Sequence, residues 1–217
     1  MYRACIFDLD GTLTDTLESL TYSVNETLRR LGLAPITEEQ CRNFVGDGAR
    51  CLIERALRAS GDEELELIEE GMKTYGEVFS VNCTRAVAPY EGIVDMLHQL
   101  KEREMKLAVL SNKPDAQTKM VVAQFFGDEL FDWVQGQQEG VPRKPDPAAV
   151  FAIMERLGVS KEETIYVGDS DVDMKTGKSA GVFTVGVTWG FRSRQVLEEA
   201  GADLIADHVK TLLECEG

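Results

Sequence analysis

"IFDLDGTLTDT", residues 6–16, decides how the rest of the chain is read. An apolar pair runs into Asp8, Leu9 separates it from Asp10, and Gly11 turns the chain. Two carboxylates two positions apart repel each other, and a cation offsets that repulsion. The run that leads into them, "ACIFDL" from Ala4, has the length and apolar character of a buried parallel strand.

Five later runs share this form: "KLAVLSN", "DWVQGQ", "TIYVGDS", "FTVGVTW" and "DLIAD". Helical patterns separate them, which implies β-α-β units. Residues 91–104 carry Ile93, Val94, Leu97 and Leu100; residues 147–157 carry Val150, Ile153, Met154 and Leu157, with Asp146 as N-cap and Pro147 in the first turn. Residues 16–82 read differently, as helices without a strand. Leu17, Leu20, Val24, Leu28 and Leu31 make one stripe before Gly32, and Leu65, Ile68, Met72, Tyr75 and Phe79 make another. "TEEQ" at 37–40 has capping-box spacing. The expectation is an α/β body of residues 1–15 and 83–217, with a helical lid of residues 16–82 inserted after the first strand. Open sheets bind ligands beyond the carboxyl ends of their strands, and a lid entering there covers that edge.

The totals narrow the partners. A chain of 217 residues suits one main domain with an insertion. A formal charge of −15 opposes nucleic-acid backbones and anionic membranes but leaves room for a small anionic substrate held by a local cation. No stretch approaches membrane length, and the apolar run at the N-terminus is too short for a signal peptide, so a cytoplasmic location is expected. Five cysteines without a C-x-x-C pair favour neither disulfides nor zinc. His98 and His208 fall in ordinary helix or strand ends, which leaves aspartates for acid/base work.

Asp8, Asp10 and Asp169 all follow strand ends. Gathered in one crevice, a few hard oxygen ligands with room for water and phosphate suit Mg²⁺. "GDSDVDM" at 168–174 is no EF-hand loop, because Met174 and Ala180 stand where glycine and glutamate are needed. If it opens a helix, Asp169 and Asp173 share a face, Asp169 as metal ligand and Asp173 as its neighbouring partner. "TGKSAG" lacks the first glycine of a Walker A loop, since Val172 stands there. Ser111 and the backbone N–H groups that follow it can donate to phosphate oxygens, and Lys144, limited by Pro145, can aim one positive charge into the site.

"DLDGT" at 8–12, "VLSN" at 109–112, Lys144 before Pro145 and "GDSDVD" at 168–173 together resemble the four motifs of the haloacid dehalogenase superfamily. The resemblance implies a Rossmann-like, doubly wound and mainly parallel sheet with a small all-helical cap. It further implies an Mg²⁺-dependent phosphatase in which Asp8 is the nucleophile and Asp10 the general acid and base. Mg²⁺ would be held by Asp8, Asp169 and the Asp10 backbone carbonyl, and phosphate by Ser111, Asn112 and Lys144. The segment "FVGDGARCLIERAL" at 44–57 looks like the specificity loop of phosphoglycolate phosphatases. That likeness makes Gly46, Gly48 and Arg50 the expected contacts for a small phosphorylated metabolite, Arg50 as carboxylate partner. A monomer or homodimer is expected. Pyrophosphatases, sugar-phosphate phosphatases and β-phosphoglucomutases share this cap. A receiver-type switch is disfavoured by Asp10 and the helical insert, haloacid dehalogenase chemistry by Asp10, and a phosphonate hydrolase by the absence of lysine from residues 16–72.

Overall fold

The structure is a computed structural model and describes residues 2–215; Met1, Glu216 and Gly217, which the expected body includes, lie outside the described residues. Six of its strands form one sheet: β1 (Ala4–Phe7), β4 (Lys106–Pro114), β5 (Trp133–Gln137), β6 (Thr164–Gly168), β7 (Phe183–Val187) and β8 (Leu204–Ala206). They lie in the order β5-β4-β1-β6-β7-β8, and every neighbouring pair is parallel. All six apolar runs read from the sequence are therefore strands. Side chains alternate between the faces. Cys5, Phe7, Leu107 and Val109 face one apolar cluster with Ile93 and Leu97, while Ile6, Ala108 and Tyr166 face another with Val150 and Ile153.

Helices α5 (Ile93–Glu102), α6 (Asp115–Phe126), α7 (Ala148–Leu157), α8 (Asp171–Ala180) and α9 (Arg194–Glu199) fill the connections. The start of α7 is one residue later than expected: Pro147 precedes the helix, and Asp146 Oδ1 accepts from Ala148 N at 2.9 Å.

Helices α1 (Leu17–Arg30), α2 (Glu38–Phe44), α3 (Ala49–Ala59) and α4 (Ile68–Asn82) occupy the insert. They bury their own apolar cluster, in which Leu20, Val24, Leu28, Leu52, Ile53, Tyr75 and Phe79 meet. Both hydrogen bonds of the expected capping box start α2: Gln40 N donates to Thr37 Oγ1 at 3.1 Å and Thr37 N to Gln40 Oε1 at 2.8 Å. One element escaped the sequence reading. The chain leaves and rejoins the body through an antiparallel ribbon of β2 (Thr14–Asp15) and β3 (Ala88–Pro89). Two-residue strands are too short to show a periodicity. The five cysteines are all free. No helix of the described residues is long and apolar enough to cross a membrane.

Candidate active site

The parallel sheet delivers its strand ends to one edge, and the charges follow. Asp8 is the first residue after β1 and donates its N–H to Val167 O of β6 at 2.9 Å. Asp169 is the first after β6, Ser111 and Asn112 lie in the last part of β4, and Lys144 lies between β5 and α7. The turn after β1 closes on Leu9 O, which accepts from the N–H groups of Thr12, Leu13 and Thr14. Gly11 adopts φ +84° there, and a Cβ on it would collide with the Asp169 carboxylate. Only glycine lets the two segments approach so closely.

Asp8, Asp169 and Asp173 each place a carboxylate oxygen within 4.8 Å of the others, all buried. Their surroundings distinguish them. Asp173 is fully engaged, its Oδ1 by Lys144 Nζ at 2.7 Å and Tyr166 OH at 3.3 Å, its Oδ2 by Ser170 N at 3.1 Å. Ser170 in turn caps α8. Asp169 accepts from Thr12 Oγ1 at 3.0 Å and from Phe191 N at 2.7 Å. Asp8 Oδ1 lies 3.0 Å from Lys144 Nζ, an ion-pair distance, yet it is buried without a hydrogen bond.

Burial, reinforced by Asp173 and Asp10 and opposed by Lys144, pushes the Asp8 carboxyl up to about 7. Burial followed by Asp173 and Asp8 holds Asp169 well above the ordinary carboxylate range. For Lys144 burial works against the charge, but Asp173 and Asp8 outweigh it and raise the ammonium well above its usual range. One ammonium among three carboxylates leaves excess negative charge. That excess, the Asp8 oxygen buried without a hydrogen bond and the all-oxygen donor set fit a hard divalent cation such as Mg²⁺.

Asp10 stands apart from this trio. Its Oδ1 accepts from Lys113 Nζ at 2.7 Å, with both side chains largely buried. Asn112 is occupied as a staple rather than turned to a ligand. Its Nδ2 donates to Gly46 O at 3.0 Å and Lys144 O at 3.2 Å, and its Oδ1 accepts from Lys144 N at 3.0 Å.

The cavity between body and insert has a floor of Asp8, Asp10, Ser111, Lys113, Lys144 and Asp169 and a roof of Leu20, Val45, Leu52, Tyr75 and Phe79. Gly46 and Gly48 also line it, whereas Arg50 does not. The expectation for Arg50 is corrected by its partners: its guanidinium pairs with Glu54 Oε1 at 3.1 Å and Glu69 Oε1 at 2.9 Å and remains half exposed. The reason is helical geometry. Leu52, Ile53, Ala56 and Leu57 form the buried face of α3, and Arg50 with Glu54 lies off that face.

Two lining cations, Lys113 and Arg192, were missed. Lys113 directly follows the recognised "SN" pair. Arg192 follows β7 in "TWGFRS", at the same sheet edge as the other strand-end residues, and that position was the available signal. Its Nη1 donates to Arg42 O at 2.7 Å and its Nη2 to Val45 O at 2.5 Å, both at the C-terminal end of α2. Helix-end carbonyls lack intrahelical partners, so the guanidinium satisfies them from across the cavity.

Comparison with known proteins agrees with this geometry. The family model for haloacid dehalogenase-like hydrolases matches residues 5–187. Phosphoglycolate phosphatase 1 of Pseudomonas aeruginosa is 33% identical over 220 residues, 98% of this chain and 79% of the relative. Phosphoglycolate phosphatase of Rhodospirillum rubrum is 33% identical over 218 residues, 98% of this chain and 90% of the relative. Among solved structures, a predicted phosphoglycolate phosphatase from Haemophilus somnus 129pt superposes with a TM-score of 0.91 at 27% identity, covering 98% of this chain and 97% of that one. CbbY from Rhodobacter sphaeroides, solved in complex with phosphate, superposes with a TM-score of 0.83 at 27% identity, covering 98% and 96%. A doubly wound α/β body with a carboxylate-rich strand edge defines a Rossmann-like fold, and the matching family and relatives make its class that of a hydrolase. The chain belongs to the haloacid dehalogenase-like hydrolases.

Proposed function

We propose that this protein is an Mg²⁺-dependent phosphatase that hydrolyses a small phosphate monoester, 2-phosphoglycolate foremost, through an aspartyl-phosphate. The observation that carries the reading is the buried Asp8 oxygen at the edge of the sheet, which makes no hydrogen bond, stands beside Asp169 and has only an ion-pair contact with Lys144. The likeness to two curated phosphoglycolate phosphatases supports the choice of substrate. Residues 16–82 serve as the cap and residues 1–15 with 83–217 as the body.

Asp8 and Asp169 side chains and the Asp10 backbone carbonyl would hold Mg²⁺, which when bound supplies the positive charge that lets one anion approach another. Asp8 attacks phosphorus and the ester P–O bond breaks, while Asp10 gives its proton to the leaving oxygen. Water then attacks the phosphorus of the acyl phosphate, returns a proton to Asp10, and frees both Asp8 and inorganic phosphate. Lys144, tied to Asp173, keeps a fixed positive charge beside Asp8 through both steps. Ser111 Oγ, buried on the floor, donates to a phosphoryl oxygen. The apolar roof keeps other water from the intermediate.

The test is phosphate release with Mg²⁺ from 2-phosphoglycolate, pyrophosphate and sugar phosphates. The expected outcome is a kcat/KM for 2-phosphoglycolate at least tenfold above the others, on the order of the discrimination one charged contact gives. Highest turnover of pyrophosphate or a sugar phosphate would transfer the assignment to that substrate, and no release from any would sink it.

A further inference from the structure

We infer that Lys113 selects the substrate by pairing with a carboxylate on the carbon next to the ester oxygen, an inference that rests on the phosphatase reading above. Three cations line the cavity, and two of them are each held by two contacts to its walls. Lys144 Nζ is 2.7 Å from Asp173 Oδ1 and 3.0 Å from Asp8 Oδ1. Arg192 donates to the carbonyls of Arg42 and Val45. Lys113 has one hydrogen-bond acceptor for its ammonium among the described residues, Asp10 Oδ1 at 2.7 Å, although its side chain is only 2% exposed. An ammonium carries three N–H donors, and donors buried without acceptors are costly. The ammonium also lies 5.0 Å from the centre of the Phe79 ring, which brings no acceptor oxygen.

The position of these spare donors identifies the ligand's chemistry. Asp10 delivers the proton to the leaving oxygen, so a group bound to Lys113 beside it belongs to the alcohol half of the ester. Nζ and Asp10 Oδ1 are in direct hydrogen-bond contact, which confines that group to the first few atoms beyond the leaving oxygen. A carboxylate two bonds from that oxygen, as in a phosphorylated 2-hydroxycarboxylate, meets this requirement. Anions at the far end of a longer sugar bisphosphate do not. The roof residues Leu52, Tyr75 and Phe79 bring no cation to compete, and Arg50 is turned to Glu54 and Glu69. Lys113 therefore does for the leaving group what Lys144 does for the phosphoryl group.

The experiment measures calorimetric binding of 2-phosphoglycolate and of ethyl phosphate, which lacks the carboxylate, with Mg²⁺ present and Asp8→Asn preventing turnover. In that background K113M and K113Q are expected to shrink the ratio of the two affinities by about 10- to 100-fold, the range for a charged hydrogen bond. K113Q keeps a donor for Asp10 and guards against a folding defect in K113M, with thermal melts checking both. An unchanged ratio in a folded variant whose turnover, measured with Asp8 intact, has fallen would overturn the proposal and reduce Lys113 to a residue that positions Asp10. The chain without a Lys113 substitution provides a separate test: 2-phosphoglycolate must bind at least about tenfold more tightly than ethyl phosphate, and equal affinity overturns the inference whatever the variants do. Release of phosphate from both esters with no preference sinks this inference alone, whereas release from neither sinks the phosphatase reading beneath it.

Discussion

On the floor of the cavity, Asp8, Asp10, Lys113, Lys144 and Asp169 bring five ionisable side chains into a buried space. On the roof, Leu20, Val45, Leu52, Tyr75 and Phe79 bring one phenol and otherwise hydrocarbon. The two surfaces are held by different forces. Floor residues are fixed by charge-assisted hydrogen bonds such as Lys144 to Asp173 and Lys113 to Asp10, which tolerate little displacement. The roof is held to the body largely through backbone carbonyls, which accept from Asn112, Arg143 and Arg192 side chains of the body. Charge on rigid strand ends stabilises a transition state, and an apolar roof lowers the local dielectric and strengthens that effect.

The sharpest test of this division lies on the floor. Asp8→Asn removes the nucleophile with almost no change in shape, and turnover should fall on the order of 10⁴-fold or more, as for other nucleophile deletions. Substrate binding should persist, because Lys144 and Ser111 remain. Phosphate-release kinetics together with calorimetry separate the two effects; a variant that retains a tenth of the activity would remove Asp8 from the proposed role.

Arg192→Ala tests the seam between the surfaces. It strands the carbonyls of Arg42 and Val45 at the end of α2 and loosens the roof while leaving every floor residue in place. Loss of charged hydrogen bonds of this kind costs about 1–3 kcal/mol, so kcat/KM should drop by about 10- to 100-fold. The drop should be carried mainly by KM. A loss confined to kcat would show that Arg192 acts on the chemistry rather than on closure.

The floor apart from Lys113 could be read in the sequence and the seam could not, for a physical reason. Asp8 and Asp169 follow strands whose neighbours are buried, where an isolated charge is costly, so their presence signals a partner or a cation. Lys144 and Ser111 became readable through their order along successive β-α units. Arg192 carries no such signal, because an arginine in a loop is ordinarily exposed and only the fold reveals the helix end it reaches. Asn112 was assigned to phosphate for its place in a motif, but three hydrogen bonds to loop backbones claim its side chain. The β2–β3 ribbon was too short to register, although it sets the two crossings between body and insert side by side.

Without divalent cation, the floor should show its strain as pH dependence. Both Asp8, pushed up to about 7, and Asp169, raised well above its ordinary value, bind protons more readily folded than unfolded. Folded stability therefore falls as pH rises from about 4 towards 7 and beyond, the reverse of a salt-bridged carboxylate. Asp115 and Asp132 are shifted the other way, so their contribution is lost only in stronger acid and does not mask this window. In chelator, melting should occur on the order of 5 °C lower at pH 8 than at pH 5, and added Mg²⁺ should raise it more at pH 8. Asp8→Asn should flatten both trends. A metal-free protein that gains stability with pH across this range would contradict the excess negative charge assigned to the floor.

The smallest effect belongs to the residue that the motif likeness placed in the site. Arg50 pairs on the surface with Glu54 at i+4 and with Glu69, and exposed pairs of this kind contribute about 0–1 kcal/mol. The stripe of Leu52, Ile53, Ala56 and Leu57 already places Arg50 off the buried face of α3, and helical periodicity is a better guide to its direction than likeness to a specificity loop. Arg50→Ala should therefore change kcat/KM for 2-phosphoglycolate by less than about twofold and melting by no more than about 2 °C. A selective tenfold loss on 2-phosphoglycolate, with other esters unaffected, would mean that α3 turns when substrate binds and that the roof supplies a charge after all. The contrast between a charged floor and an apolar roof would then describe only the ligand-free protein.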